Sequence, residues 1–205
     1  MPIEKLFPTT IYNEKLQSSG NKLREEILSE AYKFRDSDDD GKKWCKKNYV
    51  GGYTSYGSLS KLHEMSPTFQ ELKKQIDKHV KKYTSAMEMD IKGHNIEMNS
   101  CWVNIMPKQS HHSFHIHPLS FISGTYYVSI PKNTSVIKFE DPRLAFFMGS
   151  PPRKSNCRRE NQHFVSVSPR EGQVVLFESW LRHEVPANTS DAERVSVSFN
   201  YSWDY

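Results

Sequence analysis

The chain has 205 residues, of which 36% are hydrophobic, 12% aromatic and 25% charged, and its 28 Lys and Arg against 24 Asp and Glu give a net charge of +4. Charges so evenly mixed in sign lack the concentrated basic stripe of a dedicated nucleic-acid binder. Apolar runs are only a few residues long, Val174–Phe177 being typical, so a transmembrane helix is excluded and no membrane partner is expected.

The first 95 residues are predicted to be mostly helical. An edge strand is expected over Leu6–Tyr12, a short apolar segment interrupted by a proline. Apolar residues at helical spacing predict helices over residues 21–34 and 67–87. Between the helices, the charged stretch DSDDDGKKWCKKN at residues 36–48 is predicted to be a solvated loop.

Beyond residue 95 the apolar period changes to two, which is typical of β-strands. The predicted strands are Asn99–Met106, Phe121–Ile130, Ser135–Phe139, His163–Val167, Gln173–Phe177, His183–Val185 and Arg194–Trp203. Short strands with no helix between them indicate an antiparallel sandwich or barrel. We therefore expect a mainly β fold with flanking helices, as a single domain over 1–205 in which 1–95 supports a β core at 96–205.

Four of the nine histidines fall within seven residues, and two of these have the spacing of metal ligands. His115 and His117 are two apart, and on a strand such residues project from one face, roughly 6 to 7 Å apart. A third histidine, His183, ends a predicted strand. The adjacent His111 and His112 are expected to point to opposite faces, and they are assigned no role.

Arg194 follows His183 by eleven residues and opens a strand with two contrasting faces. Every second residue from Arg194 is polar, whereas the residues between them are apolar. A cation on the inner face of a barrel is costly unless a carboxylate meets it, and no acidic residue alternates with Arg194. We therefore hypothesise that its partner is a ligand. An HxH pair alone is weak evidence for a functional metal site, but its combination with a distal His and an Arg-x-Ser is much more specific.

Several longer segments resemble one known family. They are LFPT, CWVNIMP, HIHPLSFISGTYYVSIP, FEDPR, SPREGQVVLFESWLRHEVPANTS and ERVSVSFN, and together they cover most of residues 96–202. In these segments the chain is similar to the iron(II)/2-oxoglutarate-dependent oxygenases, and most closely to a bacterial and phage group of them. The resemblance implies a double-stranded β-helix, which is a jelly-roll or cupin-like barrel.

The resemblance also implies the site residues and the reaction. Fe(II) is expected at His115, His117 and His183, and Arg194 assisted by Ser196 is expected to bind the distal carboxylate of the 2-oxoglutarate co-substrate. The implied enzyme is a dioxygenase, an oxidoreductase that consumes O2, releases succinate and CO2 and hydroxylates an unidentified substrate.

Three further residues belong to this implied site with alternatives left open. Asn104 and Tyr126 are candidates for hydrogen bonds to the keto acid, and Tyr126 equally fits core packing. The family usually has a carboxylate where this chain has His117. Three imidazoles can still bind Fe(II), in a site one charge unit more positive. Alternatively Asp141 supplies the missing oxygen ligand, or it simply organises its loop with Arg143.

Other functional hypotheses compete with the oxygenase. One is a cupin-type metalloenzyme that does not use 2-oxoglutarate, and another is a non-catalytic binding barrel; Arg194 with Ser196 favours the oxygenase. The basic loop 144–162 is expected to contact substrate, which suggests an acidic substrate or partner, or else it is a solvated loop. Three scattered cysteines favour a cytoplasmic location. The oligomeric state is left open, a homodimer being the alternative to a monomer.

Overall fold

The structure is a computed structural model that describes residues 3–16 and 20–204. Its strands are β1 (Tyr12–Lys15), β2 (Tyr53–Thr54), β3 (Ile96–Met106), β4 (His112–His115), β5 (Ile122–Ser129), β6 (Ile137–Glu140), β7 (Phe164–Val167), β8 (Gln173–Glu178), β9 (His183–Val185) and β10 (Arg194–Trp203). They form a large sheet in the order β1-β8-β5-β10-β3-β2 and a small sheet in the order β4-β9-β6-β7. Neighbouring strands are antiparallel throughout, so the predicted mainly β architecture is confirmed.

The helices pack on one face of the large sheet. They are α1 (Gly20–Ser37), α2 (Asp39–Asn48), α3 (Leu62–Met65) and α4 (Pro67–Ala86). Fully buried Ile27 of α1 and Ile76 of α4 share one hydrophobic core with Val197 and Phe199 of β10. The apolar side of β10 therefore faces the helices, which leaves its polar side for the opposite face of the sheet. No helix in the described part of the chain is long and apolar enough to cross a membrane.

The predicted loop at residues 36–48 is wrong, because most of it forms α2. Asp38, buried at 7% exposure, caps this helix by accepting a hydrogen bond from the Gly41 N–H at 2.8 Å. The Tyr53 hydroxyl donates to the same carboxylate at 2.8 Å. Aspartates in the first turn and lysines in the last turn suit the helix dipole. A charge run that looked like a solvated loop is thus a capped helix tied to β2.

The strand predicted over Leu6–Tyr12 is also wrong in position, because β1 begins only at Tyr12. Phe7 has a φ of 57°, in the left-handed region that strands avoid, and Pro8 follows it with no N–H to donate. The extended pairing with β8 therefore starts after these residues.

Candidate active site

A cavity of 450 Å³ lies between the two sheets, and α2 with β2 closes one side of it. The large sheet contributes Asn104 of β3 and the polar side chains of β10, and α2 contributes Trp44 and Asn48. The small sheet contributes a cluster of histidines. Among the described residues that line the cavity none is acidic, so its only fixed charge is positive and comes from Arg194.

Three histidines converge at the small-sheet side of this cavity. His115 is the last residue of β4 and pairs directly with His183, the first residue of β9. His117 lies just beyond the end of β4, where its N–H donates to the Ser179 carbonyl at 3.0 Å. Ligand nitrogens of the three rings all lie within 4.8 Å of one another, and Nε2 of His117 is 3.4 Å from Nε2 of His183. This is the convergence that a transition-metal site requires.

Backbone carbonyls orient two of the rings. Nδ1 of His115 lies 2.7 Å from the Ser113 carbonyl, and Nδ1 of His183 lies 2.9 Å from the Leu181 carbonyl. A carbonyl only accepts, so each Nδ1 carries the hydrogen and each Nε2 keeps its lone pair. Burial lowers the pKa of all three rings, that of His183 to about 3 and that of His117 to about 4, and the neighbouring His115 adds to both shifts. The rings are therefore neutral at physiological pH, which is the form that binds metal, so the site fits a resident iron.

Arg194 is a buried cation with no acidic partner in its cavity. Its side chain is only 2% exposed, and the guanidinium lies over the Tyr127 ring at 5.2 Å. Nη1 donates to the Met106 sulfur at 3.0 Å and, more weakly, to the Ser196 hydroxyl at 3.5 Å, while Nε has no hydrogen-bond partner among the described residues. A buried charge left this way is costly unless a ligand completes it. The arrangement fits the carboxylate of a keto acid.

Of the two other candidates for the keto acid, the structure brings only Asn104 to the cavity. Its Nδ2 donates to Ser198 Oγ at 3.0 Å, and its Oδ1 is buried without a partner in the described part of the chain. Tyr126 instead packs in the hydrophobic core opposite Val197, on the helix side of the sheet. The expected role of Tyr126 is therefore withdrawn in favour of core packing. The neighbouring Tyr127 faces Arg194 because adjacent strand residues project to opposite faces and Tyr127 pairs with Ser196 on the polar side of β10.

The structure bears on two alternatives that the sequence left open, one about Asp141 and one about the basic loop. Asp141 lies outside the cavity, with one carboxylate oxygen 3.0 Å from Nε of Arg143 and the other 2.8 Å from Nη2, so it organises its turn and does not join the histidines. The basic loop at residues 144–162 does not line the cavity either. Part of it lines a separate 690 Å³ groove beside the segment that begins at Ile3.

His112 and Tyr49 are among the cavity-lining residues that sequence reasoning missed. Their rings stack at 4.3 Å with an angle of 13°. A regular strand would point His112 and His115 to opposite faces, but the β4–β9 pairing shifts register between them. The one signal in the sequence for the role of His112 is its position three residues before the HxH pair. The sequence did not indicate Tyr49, because Tyr49 directly follows α2 and the residues of α2 are predicted to form a loop.

The two antiparallel sheets and the histidine cluster between them are similar to the Fe(II)- and 2-oxoglutarate-dependent oxygenases. More particularly, residues 100–200 match the profile of the family described as "Putative 2OG-Fe(II) oxygenase". That segment contains His115, His117, His183 and Arg194. No curated protein sequence matches the chain.

Solved structures share the fold at low sequence identity. A Pseudomonas putida prolyl-4-hydroxylase aligns with a TM-score of 0.58 at 11% identity, covering 95% of this chain and 92% of that protein. HygX from Streptomyces hygroscopicus, solved with nickel and 2-oxoglutarate bound, aligns with a TM-score of 0.61 at 15% identity, covering 95% and 83%. An oxidoreductase of the 2OG-Fe(II) oxygenase family from Burkholderia pseudomallei aligns at 17% identity and a TM-score of 0.42, over 54% of this chain and 47% of that protein. The first two alignments confirm the double-stranded β-helix.

Proposed function

We propose that this protein is a dioxygenase in which His115, His117 and His183 hold Fe(II), while Arg194 and Ser196 hold the distal carboxylate of 2-oxoglutarate. The observation that carries the proposal is the buried Arg194 cation, which shares a cavity with three neutral histidines and, within the described lining, with no carboxylate. A site that only needed a metal would have no use for an unpaired buried arginine.

The chain's own contribution is orientation, charge and exclusion of water. The carbonyls of Ser113 and Leu181 hold two imidazoles with their Nε2 lone pairs toward the cluster. Bound iron would supply the activation of O2 that couples decarboxylation of 2-oxoglutarate, to succinate and CO2, to hydroxylation of a C–H bond. Because the histidines are neutral and Arg194 is cationic, the cavity favours a dianionic co-substrate over a neutral keto acid.

The substrate would pack against the wall of the cavity formed by α2. Trp44 and Asn48 line the cavity there, with Tyr56 and Trp102 in edge-to-face contact at 5.0 Å. These groups are aromatic or neutral polar, and in the described lining a cationic substrate would meet no counter-ion. We therefore propose a neutral or acidic substrate that presents an apolar surface to the aromatic side chains.

The test is the release of labelled CO2 from 1-¹⁴C-2-oxoglutarate in air by protein loaded with Fe(II). Slow turnover is expected even without the primary substrate, and it should disappear in His183→Ala. His111→Ala is the matched control, since His111 is exposed and outside the cavity. Iron binding without any binding of 2-oxoglutarate would favour the cupin-type metalloenzyme instead. Failure to bind either would favour the non-catalytic barrel.

A further inference from the structure

His117 is held in place through its backbone, whereas carbonyls orient the rings of the other two histidines. Among the described residues, no carbonyl accepts a hydrogen bond from the His117 ring. Its backbone N–H donates to the Ser179 carbonyl at 3.0 Å, and the Ser179 N–H donates to the Phe121 carbonyl at 3.0 Å. Ser179 therefore binds both ends of the short segment that carries His117 away from β4.

The turn between β8 and β9, residues 179–182, holds two of the three metal-ligand candidates. Ser179 at its start binds the backbone of His117. Two residues further on, the Leu181 carbonyl accepts a hydrogen bond from Nδ1 of His183 at 2.9 Å. Because one short turn contacts both histidines, the distance between their Nε2 atoms depends on where this turn lies.

A buried hydroxyl network, made of Ser179, Ser123 and Asn200, ties this turn to the large sheet. Oγ of Ser179 lies 2.7 Å from Oγ of Ser123 on β5, and Ser123 donates to Oδ1 of Asn200 on β10 at 2.8 Å. Since the Ser123 hydrogen is committed to Asn200, Ser179 is the donor in the first of these bonds. Ser179 and Ser123 are 0% and 1% exposed, so removal of either hydroxyl leaves its neighbour without a replacement from solvent.

The alternative is that the hydroxyl network only stabilises the fold. Buried hydrogen bonds add little net stability over apolar side chains of the same shape. Their bonds are directional, however, and a fully satisfied network fixes one arrangement of the groups it joins. Here the arrangement that is fixed includes Ser179, whose own carbonyl binds His117, and Asn200, which lines the same cavity as the histidines.

We propose that Ser123, Ser179 and Asn200 are positioning residues for the metal centre. The hydroxyl network sets the position of the β8–β9 turn against the large sheet, and thereby the spacing of the His117 and His183 nitrogens that would hold iron. This inference rests on the proposed function. It assigns to two buried serines, which touch neither metal nor co-substrate, a share of the metal affinity.

The experiment measures Co(II) affinity and the visible absorption of the Co(II)-loaded protein, so it needs neither substrate nor turnover. The visible bands of Co(II) report the geometry of its ligands. We expect Ser123→Ala and Ser179→Ala each to bind Co(II) about 10- to 100-fold more weakly than the wild type, with shifted bands. The double variant should lose no more affinity than Ser123→Ala alone, because both hydroxyls act through one network.

Thr84→Val is the matched control for loss of a buried hydroxyl. Thr84 is 1% exposed and donates to the Lys81 carbonyl at 3.1 Å. It lies on α4, which contributes no residue to the described lining of the cavity. The control should lower the melting temperature of the metal-free protein as the serine variants do. Its Co(II) affinity and visible bands should be those of the wild type.

Wild-type affinity and bands in both serine variants would overturn the inference, and so would additive losses in the double variant. Hydrogen exchange on the metal-free wild type gives a second readout without any substitution. The His117 amide should already be protected there, and exchange as fast as in the unfolded chain would also refute the inference. Failure of the proposed function looks different, since the wild type itself would then bind no Co(II), or His183→Ala would bind it normally.

Discussion

Replacing Arg194 by alanine should remove 2-oxoglutarate binding while leaving the metal cluster intact. Arg194 does not contact the three histidines directly; its polar contacts are with Met106, Ser196 and the Tyr127 ring. Its Nε has no hydrogen-bond partner among the described residues. The guanidinium can therefore donate two hydrogen bonds to one carboxylate, one of them from Nε. Loss of this charge-assisted pair should cost about 2 to 4 kcal/mol, or on the order of 30- to 1000-fold in keto-acid affinity.

The same substitution should not lower stability, because the side chain removed is a buried cation without an acidic partner in its cavity. The assay is titration of 2-oxoglutarate into metal-loaded wild type and Arg194→Ala, with metal affinity and thermal melts measured alongside. Arg194→Lys should restore only part of the affinity, since an ammonium lacks the planar fork. Arg182→Ala is the control, because Arg182 is paired with Glu140 on the surface. Unchanged keto-acid affinity together with a lower melting temperature would refute the reasoning.

The remaining predictions concern the metal, the fold, the wall of the cavity and pH. His115→Ala and His183→Ala should each abolish Fe(II) binding at micromolar metal while His111→Ala keeps it, and stoichiometric iron in the first two variants would remove the assignment. A chain that begins at residue 95 should lack a cooperative melt, because the large sheet loses the helices that share its core; a well-folded truncated barrel would show that the predicted single domain is wrong. Asp38→Ala should lower the free energy of unfolding in urea by about 2 to 4 kcal/mol, because it removes the N-cap of α2 and leaves the Tyr53 hydroxyl without its acceptor. A loss below about 0.5 kcal/mol would contradict that role of Asp38. Metal-free protein should lose stability as pH falls from 6.5 toward 4. Burial lowers the pKa of the site histidines, that of His183 to about 3, so in this range the unfolded chain binds more protons than the folded chain. Melting temperatures that do not change over this range would contradict the pKa shift.

Strand β3 and strands β5 to β10 could be predicted from the sequence because each has one face in a core, whereas β2 and β4 were not predicted and β1 was predicted in the wrong place. The bounds of β9 and β10 match the prediction, since apolar and polar residues alternate strictly along Arg194–Trp203. Helix α2 could not be predicted in this way. It buries only a narrow side, including Cys45, while most of its surface is lysine and aspartate, and its start depends on Asp38 meeting a tyrosine fifteen residues away.

The candidate site also has one part that the sequence predicts and another part that it does not. The convergence of His115, His117 and His183 could be predicted, because spacing along a strand and the resemblance pointed to the same residues. Which neighbours join them depends on how the strands pair, and the residues alone do not show that pairing. A register shift between His112 and His115 brings His112 to the cavity. Tyr127 rather than Tyr126 faces Arg194 because Tyr127 pairs with Ser196 on the polar side of β10.

The most direct test of the central claim is an anaerobic titration of 2-oxoglutarate into the Fe(II)-loaded protein, followed by visible absorption. Chelation of the keto acid to iron at the histidine cluster predicts a charge-transfer band that saturates at one 2-oxoglutarate per chain. The band should be absent in His183→Ala and should require far more 2-oxoglutarate in Arg194→Ala. Iron-loaded wild type that shows no band at saturating 2-oxoglutarate, or a band of equal strength in His183→Ala, would contradict the account.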